Sequence, residues 1–130
     1  MQNLSDWNII NIEYMGIIVP KTFFHYVEKS MNKRDYKPRL IDRKLEEYLS
    51  TFGAVCVEGP KWCGKTWSSS YHSSSEIMIG NPDGNFQNRQ LAEMSPALVL
   101  EGESPRLIDE WQEVPPLWDA VRYKVDQSGE

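Results

Sequence analysis

The spacing of apolar residues changes several times along this chain, and each change marks a different element. Ile41, Leu45, Tyr48, Leu49 and Phe52 recur at helical spacing, with Asp42 placed as an N-cap and Gly53 where the helix ends. Ala54-Val55-Cys56-Val57 is then an unbroken apolar run, which predicts a short strand buried on both faces. Trp67 and Tyr71 can share a helix face, although the serines from Ser68 to Ser75 supply weak helix propensity. Ile77-Met78-Ile79 predicts a second strand, and Gly80-Asn81-Pro82-Asp83-Gly84-Asn85 is dense turn chemistry that predicts a loop. Leu91 to Met94 reads as a short helix, and Pro96 to Leu100 fits neither period. Leu107-Ile108 is a brief strand leading to Asp109, and Pro115-Pro116 opens a helix striped by Leu117, Val121 and Val125. Residues 1–35 show no clear period and read as an N-terminal extension, with Met31 a candidate true start; residues 36–130 read as the domain. No internal repeat is visible.

Composition narrows the class. A chain of 130 residues with 40% apolar content is long enough for one modest soluble domain. The formal net charge of −5 gives no general attraction for nucleic acid. Lys29, Lys33, Arg34, Lys37, Arg39, Arg43 and Lys44 form a local basic run, read as a solvated helix face. Cys56 and Cys63 have neither zinc-site spacing nor the density of a secreted disulfide scaffold, which fits a reducing cytoplasm. The apolar stretch from Trp7 to Phe24 is interrupted by Asn8, Asn11, Glu13 and Gly16, so it is read as neither a membrane span nor a signal peptide.

The chemistry concentrates in two places. Gly59-Pro60-Lys61-Trp62-Cys63-Gly64-Lys65-Thr66 satisfies G-x-x-x-x-G-K-[ST], after a predicted strand and before a predicted helix. Glycines let the backbone wrap a phosphate with its N–H groups inward. Lys65 would reach the β- and γ-phosphates, and the Thr66 hydroxyl would ligate Mg2+. Trp62 reads as a packing residue or lid. Cys63 sits beside a cationic anion site, which would favour its thiolate, but an inert thiol is the better reading. A chance glycine turn also fits the pattern; the acidic pair downstream weighs against it. There, Asp109 would hold the magnesium ion and Glu110 would polarise an attacking water. Gln112 reads as a surface residue, and His25 and His72 as surface or packing residues without a catalytic part.

Several segments together resemble a known family. Residues 36–42, 53–66, 105–112, 117–122 and 125–126 are similar to the prokaryotic AAA-type ATPases that carry a C-terminal domain of unknown function. The joint occurrence of Gly-Pro-Lys-Trp-Cys-Gly-Lys-Thr and Ile-Asp-Glu-Trp-Gln carries most of that resemblance. It implies an α/β P-loop NTPase core with a mostly parallel sheet, ATP as ligand and magnesium-dependent hydrolysis. It also implies that a later strand, bearing a polar sensor, lies between the strand of the glycine loop and that of the acidic pair. This sequence stops at Glu130, before such a strand. The resemblance therefore predicts a domain incomplete at its C-terminus, with unpaired edges inside the sheet, little hydrolysis, and a tendency to self-associate or pair with a protein partner. The alternative is a non-catalytic nucleotide-binding or interaction module. A GTPase would carry Asn-Lys-x-Asp after its glycine loop, where this sequence has none, and a small-molecule kinase would not need Glu110 in that place.

Overall fold

The computed structural model describes residues 15–19 and 33–128. The elements run β1 (Met15–Val19), a 3-10 turn at Lys33–Asp35, α1 (Asp42–Thr51), β2 (Val55–Glu58), α2 (Lys65–Tyr71), β3 (Ser75–Met78), α3 (Asp83–Met94), α4 (Pro96–Val99), β4 (Arg106–Asp109), a 3-10 turn at Trp111–Glu113, and α5 (Pro116–Ser128). The architecture is mixed α/β. Its four-stranded sheet has the order β2-β1-β4-β3. β1 is antiparallel to both β2 and β4, and β3 is parallel to β4. Hence β2, β3 and β4 share one direction, and their C-terminal ends lie at one end of the sheet.

This order overturns the expectation of unpaired inner edges. The strands of the glycine loop and the acidic pair are indeed not neighbours, but the strand between them comes from residues 15–19. Gly16 faces Val57 on one side and Asp109 on the other. Residues 1–35 are therefore not simply an extension, because five of them form an interior strand. An apolar run can occupy that slot because the backbone N–H and C=O groups of β2 and β4 would otherwise lack partners. The neighbouring asparagines and Glu13 hide the run from a periodicity reading. Met31 and the start it suggests lie outside the described residues.

Two hydrophobic clusters cover the sheet. On β4, Leu107 and Ile108 are both fully buried, and adjacent strand residues face opposite sides. Leu107 packs with Leu45, Val55 and Val57, while Ile108 packs with Ile79, Val99, Val114, Leu117 and Val121. Each such side chain contributes roughly 1.5–3 kcal/mol by leaving water. The predicted stripe on α5 is thus its core face, with Val125 joining at the edge against Gly53.

Three local expectations change. Ile41, not Asp42, is the N-cap of α1; Asp42 is the first helical residue, and its carboxylate turns back to accept the Arg39 amide at 2.6 Å. The predicted loop persists inside α3, where Gly84, Asn85 and Phe86 have φ of 62°, 56° and 59°, so regular helix begins only after them. That helix is longer than the Leu91–Met94 segment expected. Pro96–Val99 resolves as one helical turn with proline at its start and Val99 in the core. Among the described residues no helix is long and apolar enough to cross a membrane.

Candidate functional site

The glycine loop leaves the end of β2 and Asp109 ends β4, so both open at the same end of the sheet with β1 between them. Two strand spacings put those ends about 10 Å apart. The loop spans this gap by turning back over the sheet. Gly64 adopts φ 89°, a left-handed conformation that glycine takes without steric cost, and α2 starts at the next residue. In the first turn of α2, the Thr66 hydroxyl donates to Asp109 Oδ2 at 3.0 Å. Two residues predicted to share one site are therefore in contact.

Within the loop, Lys65 folds inward. Its Nζ donates to the carbonyls of Gly59 and Pro60, the latter at 2.9 Å, and lies 3.9 Å from Cys63 Sγ. A Cβ on Gly59 would press on Cys63 Sγ at 2.7 Å, so a side chain there would have to push the thiol aside. Cys63 is exposed. Trp62 has φ 70° and is 92% exposed, which removes the packing role expected of it. A bulky aromatic in the left-handed region stores roughly 1–3 kcal/mol of strain. Its ring lies under Lys61, whose Nζ is 5.8 Å from the centroid.

The acidic pair differs residue by residue. Burial pushes the Asp109 carboxyl above its ordinary range, against the Thr66 hydrogen bond, the Glu110 amide and the charge of Lys65. Burial also raises Glu110, reinforced by repulsion from Asp109 and Glu113 and opposed by Lys61. Glu110 has φ 55° and ψ 36°, another non-glycine residue in the left-handed region. Its carboxylate lies against Gly80, where a Cβ would overlap Oε2.

Other expectations need revision. Gln112 is half-buried rather than fully exposed, and its Oε1 is buried with no hydrogen-bond partner among the described residues; Glu58 Oε2 is likewise buried without one. His72 has a structural part, with Nε2 3.0 Å from Asp42 Oδ1, and His25 lies outside the described residues. The Cys56 thiol is pushed up to about 12, mainly by burial and then by Glu58, which makes it inert. The reading missed Arg39, whose Nη1 donates to the Cys63 carbonyl at 3.0 Å. Its basic neighbours disguised it as part of a solvated face, which Arg43 and Lys44 do form. Gly80 was missed as well, hidden among turn residues.

No group of three or more His, Cys, Asp or Glu residues that could hold a metal ion occurs among the described residues. In comparisons with known proteins, no family model, no curated protein and no solved structure matches this chain.

Proposed function

We propose that this chain binds the magnesium complex of ATP through residues 59–66, with Thr66 and Asp109 at the metal, as a P-loop nucleotide site related to the AAA-type ATPases it resembles. The observation that supports this best is the 3.0 Å contact between the Thr66 hydroxyl and the Asp109 carboxylate. The glycine pattern alone predicts a loop, and Leu107-Ile108-Asp109 alone predicts a strand; a shared ligand accounts for polar side chains from both meeting where the sheet brings their ends together.

The donor set suits magnesium. Mg2+ takes oxygen ligands, keeps several waters, and needs only one or two protein groups when phosphates supply the rest. A hydroxyl and a carboxylate oxygen side by side fit that demand. When bound, the ion would neutralise charge on the β- and γ-phosphates. Lys65 would exchange the Gly59 and Pro60 carbonyls for phosphate oxygens, a charge-assisted and stronger pairing. Glu110 would polarise the attacking water. The wholly apolar β1 segment Met15–Val19 beside Asp109 offers no polar side chain to the γ-phosphate and favours binding over fast turnover. We therefore assign slow hydrolysis to this chain. Binding without any turnover is the second reading.

Calorimetric titration with magnesium ATP tests the proposal. Binding should be lost in Lys65→Ala and on chelation of the metal. Equal binding by wild type and Lys65→Ala would end it.

A further inference from the structure

The segment before α1 is bolted to α2. Asp42 is the hub: its Oδ1 accepts the Tyr36 hydroxyl at 2.6 Å and lies 3.0 Å from His72 Nε2, while Oδ2 accepts the Arg39 amide at 2.6 Å. The Tyr36 hydroxyl also lies 3.1 Å from Ser68 Oγ, and its ring stacks on Tyr71 at 3.9 Å between centroids. Burial alone would raise the Asp42 carboxyl, yet the hydrogen bonds from Tyr36, the Arg39 amide and His72 hold it below its ordinary range. His72, Ser68 and Tyr71 all belong to α2 or its C-cap, so the segment carrying Arg39 is fixed relative to the helix that follows the loop.

From that anchored position Arg39 reaches the loop from outside. Its Nη1 donates to the Cys63 carbonyl at 3.0 Å and to the Gly64 carbonyl at 3.5 Å. Those carbonyls belong to the peptide groups that carry the Gly64 and Lys65 N–H bonds. A trans peptide is planar, with C=O and N–H pointing in opposite directions. The Gly64 and Lys65 N–H bonds therefore point away from Arg39, toward the inner side of the loop. A hydrogen bond at the oxygen of an amide polarises the whole group and strengthens its N–H as a donor. Gly64 is part of this arrangement, since a Cβ there would run into the guanidinium.

We propose that Arg39 is a positioning residue for the glycine loop, whose guanidinium orients and polarises the Gly64 and Lys65 amides so that they grip the phosphates of magnesium ATP. This rests on the nucleotide-binding reading above. Arg39 touches no phosphate in this role; its charge acts through two peptide groups.

Two measurements on the intact chain test it. In Arg39→Ala, magnesium ATP affinity should fall about tenfold, while Arg39→Lys, which keeps the charge but loses the planar fork, should lose about threefold. Thermal midpoints should change by less than about 2 °C, because the side chain is exposed. In nitrogen-15-labelled protein without nucleotide, the Gly64 and Lys65 amide resonances should shift in Arg39→Ala. Wild-type affinity in Arg39→Ala, or unmoved resonances, would overturn the proposal. If wild type takes up no magnesium ATP, the nucleotide reading falls, and the amide resonances alone decide whether Arg39 orients the loop. Should Arg39→Ala not fold, Arg39→Lys decides by the same two measurements: a loss with shifted resonances supports the role, and wild-type behaviour in both overturns it.

Discussion

The carboxylate of Glu110 rests against the α-carbon of Gly80, in the turn that follows the neighbouring strand, with no space for a methyl group between them. Gly80 has no left-handed backbone requirement, since its φ is not among the positive values in the chain. Gly80→Ala should therefore leave the fold intact and re-aim one carboxylate. Single-turnover phosphate release should drop about tenfold or more, because small displacements of a catalytic group are expensive in rate, while magnesium ATP affinity stays within about twofold. Unchanged release would mean that this seat does not matter to Glu110.

Asp109 and Glu110 should make the ligand-free protein less stable at neutral pH. Their folded values lie above the ordinary 3.8 and 4.5, so the native state binds more protons than the unfolded one between the two limits. Stability from these groups thus falls as pH rises past those ordinary values, and the full cost is present above the raised ones. Asp109→Asn should raise the melting temperature at pH 7 by about 2–6 °C and much less at pH 4, while abolishing metal-dependent nucleotide binding. A melting temperature lowered at pH 7 would contradict the buried-charge account.

Loss of β1 should cost the sheet its interior pairing. Ile17 pairs with Cys56 and Ile108, so Ile17→Pro removes a ladder donor in the middle of the sheet and should destabilise by about 3 kcal/mol or more. A chain beginning at Met31 should elute as aggregates and melt without a cooperative transition. A monomeric Met31 chain that binds nucleotide as well as the full chain would show that β1 is dispensable.

The two thiols should respond differently to alkylating agents. Cys63 is exposed on the loop and should react, then slow several-fold when magnesium ATP covers it. Cys56, held protonated by burial, should remain unlabelled with or without nucleotide. Mass spectrometry of labelled peptides distinguishes the sites; equal Cys63 rates in both states would remove nucleotide from the loop.

The local elements were legible where one physical signal dominated. The helical spacing from Leu45 to Phe52, the apolar run of β2 and the stripe of α5 each sit where the pattern placed them, within a residue or two. Thr66 and Asp109 were each legible from the letters around them, and the fold brings them into contact. What stayed hidden was non-local. β1 carries five residues without turn signals or alternation, and its place depends on two edges far along the chain. Arg39 and Gly80 are unremarkable as letters; one matters through a carbonyl, the other through space it leaves empty. Trp62 was misjudged because an aromatic side chain argues for burial, whereas its backbone conformation turns it into solvent.

The placement of β1 also dictates an order of events in folding. Gly16 must pair with Asp109, so among the described residues the earliest strand is completed by the latest. At roughly 5–20 residues per second, the early strand waits several seconds on the ribosome before β4 exists. Helix α1 and strand β2 can form locally in that interval, but the slot between β2 and β4 cannot. Pairings of such long sequence separation carry a large loop-closure cost and slow the final step. Closing the sheet around β1 and bringing Thr66 to Asp109 thus become one late event, and chains that reach it slowly expose both inner edges to one another in the meantime.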